Sequence, residues 1–137
     1  LVLLRAEPGV SRVACVAYSY GALVTLGLLL KRGAELREDS KPLAAVALVA
    51  LPMDAADHPD APKAIRRLVE GGLTLALLAG TGDMYCPEER LRAWRSQVGE
   101  CAALHVISGA DHFFRDPQLL SQVAAAAAGA VVMGDPA

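Results

Sequence analysis

Aromatic side chains are scarce in this 137-residue chain: one Trp, three Tyr and two Phe, 4% in all. That is too few for a platform on which nucleobases stack. Charge of one sign is lacking too. The net charge of −2 offers neither nucleic acid nor an anionic membrane an electrostatic attraction. Cysteine is rare: Cys15, Cys86 and Cys101 have no metal-ligand spacing, and their odd number argues against a disulfide framework. These shortages point to a protein of a reducing, cytoplasmic compartment. No leader is expected, because Leu1–Leu4 is too short for an apolar signal region and no A-x-A-like site follows it. No cluster of His, Cys and carboxylates suggests a metal. Gly80-Thr-Gly82 follows an apolar run but lacks the third glycine of a dinucleotide loop. No cofactor is therefore expected.

What the chain has is apolar length: 54% of its residues are hydrophobic, enough for one domain with a real core. Val13–Leu30 carries no charge over 18 residues, near the lower limit for a membrane span. A polar turn, Tyr18-Ser19-Tyr20-Gly21, interrupts it, and a buried strand followed by a buried helix gives the same hydropathy. No membrane partner is expected.

The remaining runs alternate. Short apolar segments at Arg12–Ala17, Ala44–Leu51, Leu73–Ala79 and Leu104–Ile107 predict strands. Helical segments are predicted at Gly21–Lys31, Lys63–Glu70, Pro87–Val98 and Asp116–Met133. Leu1–Ala6 reads as the last turn of a preceding helix. Gly33 is expected to stop the first full helix, leaving Glu35–Pro42 as a solvated loop. That helix, apolar on nearly all sides, is expected to be deeply covered. Continuous apolar strands alternating with helices imply an α/β fold, a parallel sheet flanked by helices on both faces.

Three turns hold the chemistry. Ala17-Tyr-Ser19-Tyr-Gly21 joins a strand to a helix. A serine there adopts a strained backbone with its hydroxyl projecting, and bulk two residues to either side is expected to clash. Gly80-Thr-Gly82-Asp83-Met-Tyr-Cys86-Pro87 follows the third strand and holds one carboxylate. Ser108-Gly-Ala-Asp111-His112-Phe-Phe114 follows the fourth and holds one imidazole. The order Ser, Asp, His on strand-following loops resembles the α/β-hydrolase superfamily, from about residue 1 to the C-terminus. Within it the chain looks most like small esterase- or peptidase-type hydrolases.

That resemblance implies a single partial domain over residues 1–137, the second half of an α/β-hydrolase sheet with its N-terminal strands missing. The first strand here would then be an exposed apolar edge. The resemblance makes Ser19 the nucleophile, His112 the base, Asp83 the acid and the Tyr20 amide an oxyanion donor. The implied function is hydrolysis of a small-molecule ester, thioester or amide through an acyl-enzyme. The alternative is a non-catalytic α/β-hydrolase-like binding protein. Rivals are His58 and His105 for the base, and Asp54 for the acid; Asp111 reads as a loop hydrogen-bonder. Tyr20 could wall a pocket, Tyr18 could pack the core, and Phe113 and Phe114 are expected to pack the base loop onto the last helix. Cys86 reads as a small buried residue. A second oxyanion donor would come from a loop after an early strand, absent here, so this chain alone is expected to be nearly inactive. Met53–Pro62, where larger members insert a lid, is short and implies an open site.

Overall fold

The computed structural model describes residues 6–56 and 58–132. Four strands, β1 (Val13–Tyr18), β2 (Leu43–Val49), β3 (Thr74–Gly80) and β4 (Ala103–Ile107), pair in parallel in the order β1-β2-β3-β4. Five helices lie among them: α1 (Tyr20–Glu38), α2 (Met53–Ala56), α3 (Ala61–Glu70), α4 (Glu88–Val98) and α5 (Pro117–Val132). The helical turn read over Leu1–Ala6 lies outside the described residues except for Ala6, and so does Met133, the last residue of the helix read from the sequence.

The central strands show why their sequences are continuously apolar. β2 and β3 are covered on both faces, so alternate residues go to two different cores. Val46, Leu48, Leu75 and Leu77 meet Leu26 and Leu29 of α1, Ile65 of α3, and Leu91 and Trp94 of α4. Ala47, Val49, Ala76 and Leu78 meet Val123 and Ala127 of α5 on the other face. Each large aliphatic buried this way contributes about 1.5–3 kcal/mol.

Three expectations need correction. First, α1 does not stop at Gly33 but runs on to Glu38. Gly33 is a packing residue: a Cβ there would lie 2.4 Å from Leu68 Cδ1 of α3. Its missing side chain leaves room for Leu68 of α3 against α1, at a helix-propensity cost of about 1 kcal/mol. Arg37 then fastens the last turn, donating to the carbonyls of Leu43 at 3.0 Å and Gly71 at 2.9 Å. Second, α1 is not covered all round. Ala22, Leu26, Leu29, Gly33 and Leu36 form one buried stripe, at alternating spacings of four and three, whereas Tyr20, Val24 and Leu30 are exposed. Third, Pro52–Pro62, a polar, Pro-rich stretch of sequence, is not simply a loop. α2 tucks Met53 and Ala56 into the core, and the Met53 amide donates to the Tyr85 carbonyl at 2.9 Å.

Among the described residues β1 is an edge strand of the sheet. Val13 and Ala17 face the α1 side and are buried, while Val16 and Tyr18 on the α5 side are exposed. Among the described residues no helix is long and apolar enough to cross a membrane.

Candidate active site

The parallel strands all point their C-terminal ends the same way, which gathers the three turns at one edge of the sheet, where open α/β sheets place ligands. Ser19 follows β1 and precedes α1. Its amide donates to the Val49 carbonyl at 2.8 Å, which ends the strand pairing. Its backbone then turns sharply, with φ 52° and ψ −120°, a region that costs a non-glycine residue roughly 1–3 kcal/mol. α1 starts at the next residue, so the Tyr20 amide belongs to a first turn without intrahelical acceptors.

The hydroxyl lands on the imidazole: Ser19 Oγ is 2.7 Å from His112 Nε2. On the far side of the ring, His112 Nδ1 is 2.9 Å from both carboxylate oxygens of Asp83. A carboxylate only accepts, so Nδ1 carries the proton in the neutral ring and Nε2 is left to accept from Ser19. Asp83 is 3% exposed, and its Oδ1 also accepts from the amides of Tyr85 and Cys86, each at 2.9 Å. These two amide bonds hold the carboxylate from within its own loop.

The loops that carry Asp83 and His112 are tied to each other as well. The Thr81 amide donates to the Ile107 carbonyl at 3.1 Å, the Gly82 amide to the Ala110 carbonyl at 2.9 Å, and the Gly109 amide to Thr81 Oγ1 at 2.9 Å. This contact explains Gly80: a Cβ there would sit 2.0 Å from the Ala110 carbonyl oxygen. The glycine serves loop-to-loop approach, a need the local sequence could not announce because Ala110 is 30 positions away. The opposite holds at Gly21, where a Cβ would meet nothing within 4 Å.

The rivals lie elsewhere. His58 is exposed, and its Nδ1 accepts from the Asp60 amide. His105 sits half-buried within β4. Asp54 points to solvent and pairs with Arg90. Asp111 caps its own turn, its Oδ1 accepting from the amide of Phe113 at 3.1 Å, as read. Phe114 is buried against α5 as expected. Phe113 is not: it is exposed, edge-on to His112 at 5.3 Å, with the Arg115 guanidinium 5.1 Å over its ring. Tyr85, which the sequence did not single out, tilts against His112 at 4.8 Å. Tyr20 is exposed, and Tyr18 is half in solvent rather than in the core. Cys86 is fully buried; burial first, and then the Asp83 charge, push its thiol up to about 12. Such a thiol is no nucleophile at neutral pH. Among the described residues no group of three or more His, Cys, Asp or Glu is arranged to hold a metal ion.

Against solved structures the chain finds extensive matches. It superposes on a protein of unknown function from Agrobacterium tumefaciens, assigned provisionally to the α/β-hydrolases, with a TM-score of 0.65 at 15% identity, over 93% of this chain and 53% of that one. An α/β serine hydrolase homologue from Coxiella burnetii gives 0.59 at 18%, over 86% and 49%. The esterase domain of a Rhodothermus marinus protein gives 0.61 at 14%, over 88% and 57%. The chain has the α/β-hydrolase fold. It spans about half the length of these structures. No family model matches the sequence, and no curated protein does.

Proposed function

We propose that the protein is a serine hydrolase that cleaves an ester, thioester or amide of a small molecule by acyl transfer. The observation that carries this reading is the unbroken hydrogen-bonded chain Ser19–His112–Asp83. Ser19 Oγ attacks the substrate carbonyl carbon while His112 Nε2 takes the hydroxyl proton. Asp83 holds the ring in the tautomer that permits this and stabilises the imidazolium. The Tyr20 amide, at the positive end of α1, donates to the developing oxyanion. The protonated His112 then gives its proton to the leaving alcohol, thiol or amine, and an acyl-Ser19 remains. Water, deprotonated by the same nitrogen, attacks the acyl carbon, releases the acid and restores the hydroxyl. Hydrolase and esterase neighbours support the reading, as does the burial of Asp83 and His112 beside an accessible serine. Three unpaired thiols fit a reducing, cytoplasmic setting.

Among the described residues no strand precedes β1, and none of them supplies a loop from an earlier strand as a second oxyanion donor. Loss of one such donor lowers turnover by about 10²–10³. The chain by itself is therefore expected to acylate detectably but turn over poorly. Incubation with an activated aryl ester, followed by peptide mass spectrometry, checks this. The expected result is an acyl adduct on Ser19 that Ser19→Ala abolishes. A chain that never acylates at Ser19 favours a binding role on the same fold.

A further inference from the structure

Tyr18 is the last residue of β1 and stands directly before Ser19. Its hydroxyl donates to the main-chain carbonyl oxygen of His112 at 2.7 Å, across 94 positions of sequence. Its ring lies 5.7 Å from the imidazole and 6.0 Å from Phe114. It is 44% exposed, so filling the core does not account for it. Burial, followed by the charges of Asp83 and Asp111, raises the phenol above its ordinary value, and it remains a donor through the neutral range.

The geometry gives that hydrogen bond a purpose. His112 stands in a loop whose backbone takes positive φ on either side, at Gly109 (79°) and Phe114 (46°). Its ring is held at both nitrogens, but a loop free to drift would carry the ring with it. The two anchors on the β1 side come from consecutive residues: Ser19 Oγ meets the ring, and Tyr18 Oη holds the main chain behind it. The short covalent path between them fixes base and nucleophile to one strand end.

We propose that Tyr18 is a positioning residue whose hydroxyl, bonded to the His112 carbonyl, sets the distance between imidazole and nucleophile. The proposal rests on the hydrolase reading of the site. Tyr18→Phe keeps the ring contacts and removes one oxygen. Two readouts test it in the full chain: the rate at which a fluorophosphonate labels Ser19, and the resonance of the His112 Nδ1 proton in a ¹⁵N-histidine spectrum. The expected result is a rate about tenfold lower, the scale of a small misplacement of reacting groups, together with a broadened Nδ1 proton and an unchanged far-ultraviolet spectrum. An equal rate or an unchanged resonance overturns the proposal. If the wild-type protein takes no label, the hydrolase reading fails, and the resonance alone then decides whether Tyr18 holds the ring.

Discussion

The two sides of the candidate site are built differently. On the β3–β4 side, Asp83 and His112 are buried, and their loops are joined by three hydrogen bonds and a contact that only glycine at position 80 permits. On the β1 side, Ser19 stands at an open edge: Val16, Tyr18, Tyr20 and Val24 are all exposed, and Gly21 has empty space beside it. Ser19 reaches the other side through its contact with His112 Nε2 and through the Tyr18 hydroxyl on the His112 carbonyl, while its own amide bonds Val49 of β2. Asp83 and His112, the proposed acid and base, are thus positioned by dense packing within this chain. Ser19, the proposed nucleophile, is positioned by a strained turn and a few polar contacts.

That contrast can be broken from either side. The largest effect is expected at the acid. Asp83→Asn keeps the shape of the loop but can present an N–H to His112 Nδ1, which favours the wrong tautomer. Ser19 labelling by a fluorophosphonate should fall by about 10⁴, while urea unfolding shows a folded protein. Next comes Gly80→Ala. Its Cβ meets main-chain atoms of Ala110 that cannot step aside, so a loss of about 3 kcal/mol is expected in urea unfolding, the upper end of an overpacking cost. Gly21→Ala, made at the open side, should change stability by less than about 0.5 kcal/mol. Equal effects at the two glycines would erase the distinction drawn between the sides. An effect smaller than that at Gly80 is expected at Ser19, the proposed nucleophile. Ser19→Gly relieves the positive φ that Ser19→Ala retains, so the glycine variant should unfold at higher urea, by about 1 kcal/mol. An alanine variant as stable as the glycine variant would remove the case for a strained turn.

Much of this arrangement was legible in the residues. Strands and helices follow apolar periodicity, a local property, and the three chemistry-bearing turns each lie where a strand run breaks at Gly or Ser. The chain order Ser, Asp, His then chose the topology that brings the turns together. What the sequence hid depends on contacts across long separations. Gly33 looks like a helix stop until Leu68 of α3 is seen against it. Gly80 looks like half of a nucleotide loop until Ala110 is seen above it. The roles of Tyr18 and Tyr85 rest on the position of His112, 94 and 27 residues further along. The buried and exposed halves of α1 could not be told apart from a helix that is apolar nearly all round.

The central claim is that Ser19, His112 and Asp83 act as one unit. Its most direct test is fluorophosphonate labelling mapped by peptide mass spectrometry in the wild-type chain and in Ser19→Ala and His112→Ala. The expected result is a single labelled peptide containing Ser19, no label in Ser19→Ala, and labelling slowed by at least about 10³ in His112→Ala. Label that persists in Ser19→Ala, or that forms at the wild-type rate without the imidazole, would contradict it.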